Sequence, residues 1–245
     1  MRDAELCSGF FVHNESKARS FTHFAVRGER STGTHYLDAL IRQHTDILPL
    51  DTGWKHGFSF AESQPLHSQL LLVCIVRDWR TWVASMFRKP WHAAREVHAL
   101  DFSAFIRAEW QGFNLKGDAA NGQPAQQLFL QADRHPISGK PFQNLLDLRN
   151  IKHEFLFGLP DRHHAVMLMK YEWLVGNEAE FLAVLRTCFN VQAKEFRPIK
   201  HRFASSYGSF QQIQRPKLPP KISVADEDFI LSQIDHGIER KLGYL

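Results

Sequence analysis

Apolar positions along the chain fall into three short runs, each followed by a helical pattern. Phe24, Ala25 and Val26 form the first run, which ends at a glycine-containing loop, residues 28–33. Beyond the loop, Tyr36, Leu37, Leu40 and Ile41 share one helical face. The order is strand, loop, helix. Residues 69–76 (QLLLVCIV) are apolar on both faces of a pleat, which predicts a central parallel strand. The polar pair Arg77-Asp78 follows at once, and then another helical pattern. Residues 164–171 (HAVMLMKY) predict a third buried strand. Asn177, with Glu180 three residues on, predicts a helix cap ahead of the stripe Phe181, Val184, Leu185 and Cys188. The chain closes with a helix predicted to start at Ser223. It turns Ile230, Ile234, Ile238 and Leu242 inward and stops before Gly243.

Strands alternating with helices predict an α/β fold, a three-layer arrangement with a mostly parallel sheet flanked by helices. Residues 1–20 are mixed and polar and read as a short helix or an arm. Residues 101–113 read as an amphipathic helix that buries Phe102, Phe105 and Trp110. Residues 115–143 hold Gly, Pro, Gln and Asn with little periodicity, the composition of a lid or acceptor loop. Residues 214–221 (QRPKLPPK) read as a proline-rich surface segment. No stretch has the composition of a linker, so a single domain over 1–245 is expected.

Composition narrows the class. The 245 residues are 44% hydrophobic and 23% charged, which supports a sizeable core and excludes a disordered, collagen-like or coiled-coil chain. The longest unbroken apolar run, Leu70–Val76, has seven residues, whereas a membrane span takes about 20. The first residues are too polar for a signal peptide. Cys7, Cys74 and Cys188 lie far apart, which predicts a reducing, cytoplasmic setting and neither a disulfide framework nor a cysteine metal site. The net charge of +4 is mild. It suits an anionic small molecule and is too dispersed for nucleic acid. His163-His164 lack a Cys or carboxylate at ligand spacing and read as a loop before a strand.

Two segments carry candidate chemistry. Gly28-Glu29-Arg30-Ser31-Thr32-Gly33-Thr34-His35 has the glycine spacing of a P-loop, in which backbone N–H groups and a helix N-terminus cradle an anion. The Mg-ATP form of that loop needs Lys and then Ser or Thr after the second glycine. Thr34 and His35 stand there instead, and the cation is displaced to Arg30. A strand-to-helix turn without a ligand is the competing reading. The second segment runs from Arg77 at the end of the central strand to Ser85, eight residues on. A guanidinium fork and a hydroxyl together make a phosphate clamp.

Taken together, these segments resemble the two nucleotide sites of the sulfotransferases that use 3′-phosphoadenosine 5′-phosphosulfate (PAPS). Arg30, Ser31, Thr32, Gly33, Thr34 and His35 match the loop that binds the 5′-phosphosulfate in that family. Arg77 and Ser85 match its R-D-x-R-x-x-x-x-S element, which binds the 3′-phosphate. Tyr171-Glu172-Trp173-Leu174 is similar to the family's Y-E-D-L segment, which places Tyr171 at the cofactor, and Leu242-Gly243-Tyr244 is similar to its terminus. The loop carries one residue more than the common R-S-G-T form. The family's late Gly-x-x-Gly-x-x-Lys element is absent, with only Arg202 and Tyr207-Gly208 in a comparable place.

The resemblance implies transfer of a sulfuryl group from PAPS to a hydroxyl or amine, without a metal. In the family a Lys-Thr-His segment between the two sites carries the base. Here Lys55 and His56 are adjacent, and His56 follows the strand-like residues 53–55. His56 is the expected base, with His35 the next candidate. Lys55 and Arg30 are expected to neutralise the leaving oxygen. The acceptor is expected to be a small molecule or glycan, held in part by aromatic and basic residues such as Phe87, Arg88, Trp91 and His92. A P-loop-type small-molecule kinase and a non-catalytic nucleotide-binding module are the alternatives.

Overall fold

The computed structural model describes residues 6, 8–15, 20–58, 68–94, 96–116, 126–129, 133–199, 216–219 and 221–245. Arg202 and Tyr207-Gly208 lie outside them, as do parts of the predicted arm, loop and proline-rich segment. In chain order the elements are β1 (Phe10–Asn14), β2 (His23–Gly28), α1 (Thr34–His44), β3 (Leu48–Pro49), β4 (Leu70–Val76) and α2 (Trp79–Arg88). Then come α3 (Phe102–Arg107), β5 (Phe113–Lys116), β6 (Gln126–Phe129), α4 (Leu145–Phe157), β7 (Ala165–Lys170) and α5 (Tyr171–Leu174). The last are α6 (Glu178–Phe189), α7 (Val224–Gln233) and α8 (His236–Lys241). The chain divides into two compact units. One holds Met1–Trp79, Lys152–Phe203 and Gly237–Leu245; the other holds Arg80–Ile151 and Ala204–His236.

The first unit is an α/β structure, a five-stranded, mostly parallel mixed sheet flanked by helices. The strand order among the described residues is β1-β7-β4-β2-β3. β2, β3, β4 and β7 pair in parallel, and β1 is antiparallel to β7. The three apolar runs of the sequence form its centre. On one face Phe24, Val26, Val73, Ile75, Met167 and Met169 pack with Leu37, Leu40 and Ile41 of α1 and with Phe181, Leu182 and Leu185 of α6. Leu72, Cys74, Val76, Val166 and Leu168 of the other face are buried as well. Both faces of the pleat are thus dry, which is why these strands read as unbroken apolar runs. Burial pushes the Cys74 thiol up to about 12.

In the second unit, Phe87 meets Phe102 and Phe105 edge-on at 5.4 and 5.3 Å. Arg107 ties α3 to α7 through Asp226 at 2.6 Å. β5 and β6 pair antiparallel, giving secondary structure to a stretch expected to lack it.

Four local expectations need correction. Residues 10–14 form an edge strand rather than a helix or arm. Their pairing comes from the open edge of β7, which no local pattern announces. The helix expected over 101–113 stops at Arg107. Trp110 and Phe142 then exchange backbone hydrogen bonds of 2.9 and 3.0 Å, which hold the chain extended. Phe102, Phe105 and Trp110 are nevertheless buried, as expected. The terminal helix is two helices broken at Ile234. At the break Asn150 donates to the Gln233 carbonyl at 2.7 Å and accepts from the Asp235 N–H at 2.9 Å. Asn177 precedes α6 but does not cap it, because its side-chain amide donates to the Trp173 carbonyl at 2.7 Å instead. Ser223 does cap α7, accepting from the Asp226 N–H at 3.1 Å.

Gly28 pairs with Ile75 across the β2–β4 ladder, where the strands leave no room for a side chain. A Cβ at position 28 would stand 2.6 Å from the Ile75 carbonyl oxygen and 3.0 Å from Thr32 Oγ1. The first is backbone and cannot swing aside. Gly28→Ala is expected to lower stability by about 1–3 kcal/mol, as overpacking does. Urea unfolding measures this, and an unchanged midpoint would show that the ladder can open at no cost.

Candidate functional site

The parallel strands β2, β4 and β7 end at one edge of the sheet, where ligands bind in open α/β folds. Residues 28–57, Arg77-Asp78, Lys152, Tyr171-Glu172 and Tyr244 all belong to the first unit. Residues 28–34 bend from β2 into α1. Ser31 sits at φ 61°, a left-handed conformation that a side chain adopts at a cost of about 1–2 kcal/mol. Gly33 takes φ 96° and is the N-cap of α1. A Cβ there would come within 2.6 Å of the Tyr171 ring. Thr32 Oγ1 donates to the Glu29 carbonyl at 2.6 Å and braces the bend. Thr34 is buried in the first turn, and His35 beside it is exposed. Gly33 supplies no side-chain cap and no acidic residue lies in the first turn of α1, so the positive end of its dipole stands at the loop.

Arg77, at the end of β4, reaches back to this loop. Its Nη1 donates to the Ser31 carbonyl at 3.0 Å, and its guanidinium lies over the Tyr171 ring at 4.6 Å. Tyr171 begins α5 directly after β7. Its neighbour Glu172 accepts from the Asp78 N–H at 3.0 Å and from the Tyr244 hydroxyl at 2.9 Å. Three separate sequence segments, Ser31 to Gly33, Arg77-Asp78 and Tyr171-Glu172, therefore converge, with the chain terminus tied on through Tyr244. Ser85 lies on α2, in the second unit.

The strand-like reading of residues 53–55 needs correction. Gly53 takes φ 92°, and the Gly57 N–H donates to the Trp54 carbonyl at 2.7 Å, so residues 54–57 form a turn. Arg27, buried on β2, holds the approach to that turn. It donates to the Trp54 carbonyl at 2.7 Å and to the Thr52 carbonyl and hydroxyl at 2.5 and 2.6 Å. The turn carries Lys55 outward to His35, where Nζ donates to Nδ1 at 3.2 Å. His56 points inward and is 8% exposed. Its Nδ1 lies 2.6 Å from the Gly28 carbonyl oxygen. A carbonyl only accepts, so Nδ1 carries the proton and Nε2 keeps the lone pair. Lys152 of α4 donates to the His56 carbonyl and lies over the Phe58 ring at 3.5 Å.

Charge is concentrated here. Burial first, and then the Arg30 cation, hold His56 well below the usual imidazole range; Lys55 and Lys152 add to this, while the Gly28 bond opposes it. Burial lowers Lys55, against the pull of Asp38. Burial and then Lys55 lower His35. Arg30, expected to face a ligand from the loop, is 1% exposed. It pairs with Glu29 at 2.7 Å and lies over the Trp54 ring at 4.8 Å. Four residues of this cluster escaped the sequence reading. Glu29 was visible beside Arg30, but nothing local announced its burial. Trp54 was visible beside Lys55. Arg27 and Lys152 gave no signal, since both act on backbone carbonyls that are distant in sequence.

Compared with protein-family models, curated proteins and solved structures, the chain matches none. Among the described residues no helix is long and apolar enough to cross a membrane.

His56 is neutral in the fold but titrates near about 6.5 in an unfolded chain. As pH falls, the unfolded chain takes up the proton first, so stability present above about pH 6.5 is lost below it. His163 adds the same sign: burial, Arg162, Arg27 and His164 push it down to about 4. The urea midpoint is expected to fall from about pH 7 to about pH 5. His56→Gln makes that fall shallower; an unaltered slope in the variant would remove His56 from the balance.

Proposed function

We propose that the chain is a sulfotransferase that uses PAPS, with residues 28–34 as the 5′-phosphosulfate loop. The observation that carries this reading is the Arg77 contact: one guanidinium spans the Ser31 carbonyl and the Tyr171 ring. Ser31, Arg77 and Tyr171, one residue from each of the segments that resemble the family's nucleotide elements, are thereby in contact within the first unit. Loop N–H groups, the α1 N-terminus and Arg77 supply donors for the anionic groups of the nucleotide. Ser85 joins the 3′-phosphate element on the resemblance alone.

In the transfer, the acceptor oxygen attacks sulfur in line as the bond from sulfur to the bridging 5′-phosphate oxygen breaks. The electron pair stays on that oxygen, and adenosine 3′,5′-bisphosphate leaves. Lys55 neutralises the charge that develops there, and Arg30, expected beside it, is instead spent on Glu29 and Trp54. The hydroxyl proton goes to Nε2 of His56, whose lone pair the Gly28 bond leaves available. No step in this scheme calls on a metal. The acceptor is a small molecule or a glycan.

The burial of His56 favours a second reading, a nucleotide-binding module in which His56 only braces the loop through Gly28 and Lys152. The two readings share the ligand and differ in chemistry.

Calorimetric titration tests the ligand. The 3′,5′-bisphosphate is expected to bind more tightly than AMP by roughly 10- to 150-fold, the worth of one charge-assisted contact. Arg77→Ala abolishes the preference, and equal affinities in the unaltered protein overturn the sulfotransferase reading.

Single-turnover sulfuryl transfer tests the base. His56→Ala is expected to slow transfer by about 10²–10⁴ while bisphosphate affinity stays nearly constant. Full activity in that variant moves the base to His35. Binding without any transfer in the unaltered protein selects the module.

A further inference from the structure

Glu29 takes no part in the transfer described above, yet it is 2% exposed within the loop itself. Its Oε1 accepts from the Arg30 N–H at 2.6 Å and from Arg30 Nη1 at 2.7 Å. These are a backbone amide and a guanidinium, the two donor types by which such a loop holds an anion. Its Oε2 is buried and has no hydrogen-bond partner among the described residues. A carboxylate oxygen buried in this way is costly. No other residue from 28 to 35 is acidic.

We propose that Glu29 is a charge filter, which lets the loop take a nucleotide ending in a sulfuryl group and turns away the isosteric nucleotide ending in a phosphoryl group. This rests on the loop being a nucleotide-anion site. The two terminal groups are tetrahedral and alike in size, so the walls of a site separate them poorly. They differ in charge, since at neutral pH a terminal phosphoryl group carries nearly one more negative charge than a sulfuryl group. A fixed carboxylate meets that extra charge in a medium of reduced dielectric, where repulsion is stronger than in water. Glu29 also takes up part of the Arg30 charge, leaving the loop matched to the less anionic group. The selection works by repelling the wrong ligand rather than by adding a contact to the right one.

The experiment is titration of the whole chain with adenosine 5′-phosphosulfate and with ADP, which differ only in the terminal group. The unaltered protein is expected to bind the phosphosulfate about tenfold more tightly or better. Glu29→Gln keeps the shape and removes the charge, and it brings the ratio near unity by gaining affinity for ADP. A merely structural role would instead weaken both ligands alike. Glu29→Asp keeps the charge and retains the preference. If Glu29→Gln fails to fold, as its thermal melt would show, the unaltered protein and Glu29→Asp still decide. Equal affinities in the unaltered protein, a preference that persists in Glu29→Gln, or its loss in Glu29→Asp each overturn the filter and leave the loop a nucleotide site. Failure of the unaltered protein to bind either ligand overturns the loop reading together with the filter.

Discussion

The parallel register of β2, β4 and β7 is the constraint from which the candidate site descends. Gly28 stands opposite Ile75, and Val76 stands opposite Lys170. The chain therefore leaves all three strands at nearly the same height. The loop at residues 28–34, Arg77-Asp78 and Tyr171-Glu172 meet because their strands do. Close packing holds that register in place, since a slip of one residue would exchange the side chains fitted to the two dry faces of the pleat. Close approach has its own consequence. Gly28 is held to glycine by the Ile75 carbonyl, and Gly33 by the Tyr171 ring as well as by its left-handed backbone. At both positions the demand comes from neighbouring strands and their exits, not from the loop alone.

The second theme is buried charge. Arg27, Arg30 and Lys152 are all buried, and among the described residues of this cluster Glu29 is the buried carboxylate, paired with Arg30. Burying ions is costly unless their donors are used. Here they are used largely on main-chain carbonyls: Thr52 and Trp54 for Arg27, and His56 for Lys152. Trp54 collects the group, taking Arg27 on its carbonyl and the Arg30 and Lys152 cations on its ring at 4.8 and 5.7 Å. Clusters of this kind, with titrating groups driven off their ordinary values, are characteristic of functional sites. An excess of buried cations is also the complement of an anionic ligand.

That same field gives His56 its character. Cations on several sides and the loss of water keep the imidazole neutral, while the Gly28 carbonyl selects the tautomer. A neutral ring with a free lone pair can accept a proton at neutral pH, though the depressed pKa lessens its driving force. The adjacent Lys55 goes the other way, toward His35 in the first turn of α1. The turn at residues 54–57 lets two neighbours face different surroundings without a regular strand to alternate them.

Local pattern along the chain announced the interior of the α/β unit and the polar and glycine-containing segments that punctuate it. A strand buried on both faces must be apolar at every position, so residues 70–76 and 165–170 announced themselves. The glycine spacing of the loop and the place of Arg77 at a strand end were legible from local pattern, and Tyr171 was singled out by the family resemblance. Tertiary structure alone decided the rest. Residues 10–14 became a strand because β7 offered them an edge. The last helix broke because Asn150 took the backbone groups of Gln233 and Asp235. Arg30 turned inward to Glu29 and Trp54 rather than standing free in the loop, and Arg27 and Lys152 found carbonyls in a turn far along the chain. These choices depend on hydrogen-bond partners and on the exclusion of water, and neither exists until distant segments have been brought into contact.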